Sequence, residues 1–273
     1  MSEPVSTTET AELHIDGPVA TLFLNRPDVR NAIDDDMRAL MLSLIERVAQ
    51  DDAVKALVLT GRGKGFCSGG DIKSMKQRLN APPGEIAFNG WRRQQRTHRL
   101  VAALHDLPKP TIAAVNGAAT GLGCDLALAC DFIVAAEESS LSMTYVLRGL
   151  IPDGGGMYFL PRRVGLPRAK ELIFSGRRVL PPEALAIGMV DRVCPGDRLL
   201  DDAATWAREL SQGSSAALAL AKSVLNQTFE TTAEQVYGMG SQAQAICYST
   251  REHQDLVSEF LEKAKSGAPK GAR

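Results

Sequence analysis

The stretch "KPTIAAVNGAATGLGCDLALACDFIVAAE" (Lys109 to Glu137) decides the fold. Its apolar run "TIAAVNG" (111–117) reads as a buried strand that ends in glycine. A short helix is expected over 123–130, and "DFIVAA" (131–136) reads as the next strand. Strand, glycine loop, helix and strand in that order imply parallel pairing through a right-handed crossover. The same pattern extends upstream. "ELHID" and "VATLFLN" flank Gly17-Pro18 as a hairpin, and "VKALVLTG" (54–61) is another buried strand ending in glycine. Between them Met37, Leu40, Met41, Leu44, Ile45 and Val48 recur at helical spacing, and a second helix is expected over 91–105. Downstream of "VDRVCPGD" (190–197) the segments 199–211, 215–228, 233–248 and 251–265 all read as helix. The expected organisation is a disordered tail over 1–10, an α/β core over 11–197, a C-terminal helical subdomain over 198–265 and a disordered tail over 266–273.

Composition narrows the function classes. The chain has 273 residues, 44% hydrophobic and 23% charged, with a net charge of −1. That balance supplies no global attraction to nucleic acid or to an anionic membrane. The one local basic stretch, "WRRQQR" from Trp91 to Arg96, reads as a solvated helix face or as a rim that greets an anionic ligand. No apolar run approaches the ~18 residues of a membrane span. The opening "MSEPVSTTETAE" has no basic region followed by an apolar one, so a frayed tail is expected rather than a signal peptide. Cysteines 67, 124, 130, 194 and 247 are scattered and odd in number, beside four dispersed histidines. Reduced thiols in a cytoplasmic protein are expected, with no metal.

Two glycine clusters remain, "FCSGGD" ending at Asp71 and "NGAATGLGCD" ending at Asp125. Neither fits a phosphate-binding fingerprint: there is no GxxxxGK[ST], and "GLGCDL" has Leu126 where a dinucleotide motif needs its third glycine. Taken alone, each reads first as a tight turn. The functional alternative is a pair of converging backbone N–H groups, one at a helix start, which would hold a thioester oxygen as it becomes an enolate.

The combination "NRPDVRNAID" (25–34), "LVLTGRGKGFCSGGDIKSM" (57–75), the stretch 109–137 and "GLIPDGGGMYFLPRRVG" (149–165) resembles the enoyl-CoA hydratase/isomerase (crotonase) superfamily over roughly residues 10–265. The resemblance implies a crotonase-like spiral of ββα units with a C-terminal helical region that builds trimers, often paired as hexamers. It implies an acyl-CoA substrate and no separate cofactor. By motif position its oxyanion hole falls on the N–H groups of Gly70 and Leu122. Many members have glycine at the second of these positions. Arg26, Asp28, Val29, Arg30, Gly70, Asp71, Ile72 and Lys73 match stretches that contact CoA.

The acids separate the chemistries. The two glutamates of the family's hydratases fall at Asp125 and Tyr145, and a tyrosine of pKa ~10 is no carboxylate-like base near neutrality. Asp153, in "IPDGGG", falls where isomerases of the family carry a base; on local sequence it also reads as a turn residue or helix cap. The expectation is double-bond isomerisation with Asp153 as base, Asp125 assisting or capping its helix, and Tyr145 shaping the acyl pocket. Hydration, thioester hydrolysis, a non-catalytic scaffold and an RNA-binding role are the alternatives. His98 and His105, two turns apart on one helix face, read as surface or core packing.

Overall fold

The computed structural model describes residues 9–71, 73, 82 and 84–265, so Ile72 of the expected CoA contacts lies outside the described residues. Two compact units emerge, one running to Leu210 and the other from Ser211.

The first unit is built on a six-stranded sheet in the order β1-β2-β3-β4-β6-β9. Strands β1 (Ala11–Asp16) and β2 (Val19–Leu24) form the expected antiparallel hairpin, with Gly17 at φ +55° in the turn. Every later neighbour pair in this sheet is parallel: β2 with β3 (Ala56–Gly61), β3 with β4 (Thr111–Val115), β4 with β6 (Phe132–Ala136), and β6 with β9 (Arg192–Cys194). All residues of β3 and β4 are buried, as a parallel sheet covered on both faces requires. Alternate side chains supply two cores. Leu57, Leu59, Ala113, Val115, Ile133 and Ala135 join one with helix α1 (Asp35–Gln50); Val58, Ile112, Ala114, Val134 and Ala136 join the other.

That second core is completed by Leu199, Ala203 and Ala207, four residues apart on α7 (Leu199–Leu210). This helix therefore packs on the sheet, and the first compact unit ends after it rather than at residue 197. Its apolar positions look alike whether a helix faces a sheet or another helix, so sequence could not place it.

Helix α2 (Ile86–His105) starts five residues before the expected 91, and α3 (Leu122–Ala129) links β5 (Ala118–Thr120) to β6. Strand β5 pairs in parallel with β7 (Ser140–Ser142), which pairs antiparallel with β8 (Arg178–Val179), forming a separate small sheet. Helices α4 (Gly156–Val164), α5 (Leu166–Ser175) and α6 (Pro181–Ala186) follow. The second unit carries α8 (Ser215–Leu225), α9 (Ala233–Ser249) and α10 (Arg251–Lys265). Thr232 and Gln235 form a reciprocal capping box at the start of α9. Among the described residues no helix is long and apolar enough to cross a membrane.

Candidate active site

The end of β5 sets the geometry. Gly121 sits at φ 54°, ψ −121°, a conformation that side chains rarely tolerate, and turns the chain straight into α3. Leu122 is thus the first residue of a helix, where N–H groups have no intrahelical acceptor. The "CSGG" segment comes alongside. Cys67 N–H donates to Ala118 O, and Thr120 N–H to Cys67 O. Gly69, at φ +96°, lies so close that a Cβ there would stand 2.8 Å from Thr120 O and 3.5 Å from Leu122 N. Gly70 bridges to Ile33 through the flanking bonds Ile33 N–H to Gly69 O and Asp71 N–H to Ile33 O, which leave the Gly70 N–H outside the ladder. The two expected donors, Gly70 and Leu122, therefore line one cavity.

Tyr145 and Asp153 line the same cavity. Tyr145 arrives on a 3₁₀ turn (Thr144–Arg148), with its ring beside Gly121. Asp153 lies in the loop before α4, half-buried, and desolvation raises its pKa. Its own backbone N–H and the charges of His98 and Arg93 pull the other way.

Asp125 stands apart. It is fully buried on the first turn of α3 and does not reach the cavity. Tyr145 Oη donates a short hydrogen bond to Asp125 Oδ2. Oδ1 lacks a partner of full hydrogen-bond geometry, although the Gly156 and Gly154 N–H groups lie close enough to favour the charged form. Desolvation outweighs these contacts, reinforced by the charge of Asp153, and pushes the Asp125 pKa up to about 7. The same burial and the neighbouring carboxyl raise Tyr145 well above 10. The "DGGG" run is what lets the loop pass over this carboxyl. A Cβ on Gly154 would overlap Asp125 Oδ2 and stand 2.8 Å from Leu122 Cδ1, and one on Gly156 would stand 2.5 Å from Oδ1.

Helix α2 supplies a wall of which the sequence had singled out only the basic stretch, not Thr97. Arg93, Gln94 and Thr97 line the cavity, and Leu150 and Ile151 add apolar surface. Of the basic stretch Arg93 faces the cavity, while Arg92 and Arg96 are exposed, as a solvated helix face expects. The available signal was the spacing of Arg93, Thr97 and Val101, which continues a buried stripe into polar residues. His98, expected at the surface or in core packing, is exposed, with Nε2 3.0 Å from the Asp153 backbone O. His105 packs against Tyr158 and Phe159, as expected.

The expected CoA contacts gather on the neighbouring loops. Asp28, Val29 and Arg30 are exposed, Arg30 being left-handed at φ 52°. Their backbone is tied to the Cys67–Gly70 segment, since Ser68 N–H donates to Arg30 O and Ser68 Oγ to Val29 O. Arg26 is engaged internally, with Nη1 3.0 Å from both Asp71 Oδ2 and Asp34 Oδ2. The buried Asp71 also accepts from Lys73 N–H at 2.8 Å, and the Lys73 side chain is exposed. Among the described residues no group of three or more His, Cys, Asp or Glu side chains is placed to hold a metal ion.

The family model described as "Enoyl-CoA hydratase/isomerase" matches residues 14–267. The 1,2-epoxyphenylacetyl-CoA isomerase of Escherichia coli (strain K12) is 35% identical over 250 residues, 92% of this chain and 94% of that protein. The short-chain-enoyl-CoA hydratase of Clostridium acetobutylicum is 33% identical over 254 residues, 93% of this chain and 95% of that protein. Among solved structures, an enoyl-CoA hydratase/isomerase from Cupriavidus metallidurans CH34 superposes with a TM-score of 0.87 at 32% identity, covering 95% of this chain and 96% of that one.

Proposed function

The chain belongs to the enoyl-CoA hydratase/isomerase family, and from that premise we propose that it is an enoyl-CoA isomerase that moves an acyl double bond with Asp153 as base. One observation carries the choice: Asp153 is the one carboxylate among the described residues that lines the cavity. Water addition in the family's manner needs two acids flanking a water. Here the first position is the sealed Asp125 and the second is Tyr145. A double-bond shift needs only one base at the acyl chain.

The thioester oxygen accepts from the Gly70 and Leu122 N–H groups, which stabilise the enolate; loss of one such donor typically costs about 10²–10³ in rate. Asp153 takes a proton beside the double bond, and reprotonation at another carbon completes the shift. Arg26, Asp28, Val29, Arg30, Asp71 and Lys73 are assigned to the CoA moiety, which belongs to the substrate; no further cofactor is required. Gly70, next to Asp71, lines the cavity, and Ser68 is hydrogen-bonded to Val29 and Arg30, which is what supports the reading. A homotrimer or hexamer in the cytoplasm is part of the same proposal.

The test is an ultraviolet assay with a 3-enoyl-CoA and with crotonyl-CoA. Conjugated absorbance should appear from the first; its loss from the second, with no reaction of the first, would make the protein a hydratase. Asp153→Asn should lower kcat by about 10²–10⁴ while leaving acyl-CoA binding intact. A near-normal kcat in that variant removes Asp153 as base.

A further inference from the structure

The buried carboxyl of Asp125 has no task in a one-base shift, yet it is connected to the cavity. Asp125 has no solvent exposure, and its hydrogen-bonded neighbour Tyr145 is a cavity residue. The Tyr145 ring lies beside Gly121, with Cε2 and Cζ 3.7 and 3.8 Å from where a Cβ would stand, and Leu122 lines the same cavity. Asp153 lines the same cavity. A tyrosine that lines a ligand cavity and bonds a sealed carboxyl through its hydroxyl can pass a proton in either direction through that one contact.

We propose that Tyr145 and Asp125 form a proton relay that delivers the second proton of the double-bond shift, with Tyr145 as the group that touches the substrate. The proposal rests on the isomerase reading, from which it takes Asp153 as the base.

The step balances without an outside reagent. Asp153 breaks the C2–H bond of a 3-enoyl-CoA, and the electron pair passes to the thioester oxygen as a dienolate held by Gly70 and Leu122. With the Asp125 carboxyl proton turned onto Tyr145 Oη, the reverse of the resting hydrogen bond, the Tyr145 O–H then protonates C4. The dienolate oxygen returns its pair to the carbonyl, and the double bond settles between C2 and C3. As its proton leaves, Tyr145 takes the carboxyl proton of Asp125. Asp153 has gained one proton and Asp125 has lost one. Asp153 releases its proton to water after product leaves, and Asp125 regains one through Tyr145.

The surroundings suit an acid that is loaded near neutrality. Burial holds a proton on Asp125 up to about pH 7, the charge of Asp153 strengthens that hold, and the Gly156 and Gly154 N–H groups weaken it. Cys124, next in sequence, is a buried thiol whose own pKa is raised. His98 and Arg93 act on Asp153 and oppose the desolvation that raises its pKa.

Turnover of 3-enoyl-CoA in deuterium oxide, read by mass spectrometry and proton NMR, tests the relay. Wild-type product should carry one deuterium at C4 per turnover; product that keeps the abstracted hydrogen overturns the relay, and this readout needs no variant. Tyr145→Phe, which keeps the ring, should lower kcat about 10²-fold while exchange of the C2 hydrogens with solvent continues. Asp153→Asn should stop both. Asp125→Asn, with its fold checked by circular dichroism, should lower kcat in the same direction as Tyr145→Phe. Wild-type kcat in Tyr145→Phe overturns the relay alone. A wild-type protein that leaves 3-enoyl-CoA unchanged overturns the isomerase reading, and the relay falls with it.

Discussion

At the scale of the residue, Asp125 shows how burial turns an ordinary side chain into a proton store. In the folded chain its pKa is pushed from 3.8 to about 7, chiefly because burial strips the carboxylate of its hydration. Between those values the folded chain holds a proton that the unfolded chain has released. The contribution of this one group to stability is therefore fully present below about pH 4 and is lost as pH rises toward 7, by at most about 1.4 kcal/mol per pH unit. Asp153, also raised, adds to the same slope. Urea denaturation of wild type and Asp125→Asn at pH 4, 5.5 and 7 should show the variant gaining relative stability at each step; parallel profiles would refute a perturbed Asp125. Gly156→Ala should cost about 1–3 kcal/mol in the same assay, because its methyl meets Asp125 Oδ1 and Met143 Cε. In the sequence the "DGGG" run was legible as a turn and Asp153 as a candidate base. That two of its glycines make room for Asp125 was not, because the contact joins a loop to a helix that precedes it by two strands.

At the scale of the element, α2 divides its labour along its length. Leu100, Val101 and Leu104 are buried near its C-terminal end, while Arg93 and Thr97 continue the inward face as polar cavity wall. Helical periodicity marks such a face but not what it meets, so the sequence left "WRRQQR" open between solvent and ligand rim. The small sheet β5-β7-β8 was illegible for a related reason: strands of three, three and two residues are shorter than any window in which alternation can be counted. Those short pairings nevertheless fix Gly121, whose N–H donates to Ser142 O, and hence the start of α3. Arg93 gives this element a measurable effect. Its positive charge lowers the Asp153 pKa, so Arg93→Gln should raise it and move the acid limb of kcat/KM to higher pH. An acid limb that does not move would show that α2 acts on the cavity by shape alone.

At the scale of the whole molecule, the two units differ in what they bury. Both hydrophobic cores lie in the first, and their strand-and-helix grammar was readable because long apolar runs end in glycine at regular intervals. In the second unit none of the described residues of α8 and α9 is buried. Large apolar side chains there are open to solvent: Phe229 at 75%, Tyr237 at 73% and Phe260 at 69%. Fully covering such a side chain contributes about 1.5–3 kcal/mol, so a helical unit left in this state gains by packing against further copies of the chain. The sequence could mark these segments as helical, but an apolar position reads the same whether its partner lies in the same chain or in another. Sedimentation velocity at micromolar concentration should therefore give three or six times the mass of the chain. Phe260→Asp, which sets a charge in a patch shared with Leu256, Val257 and Leu261, should shift that distribution toward smaller species. A wild-type monomer would overturn the trimeric proposal and leave the exposed faces of α8 to α10 to be covered by a different protein.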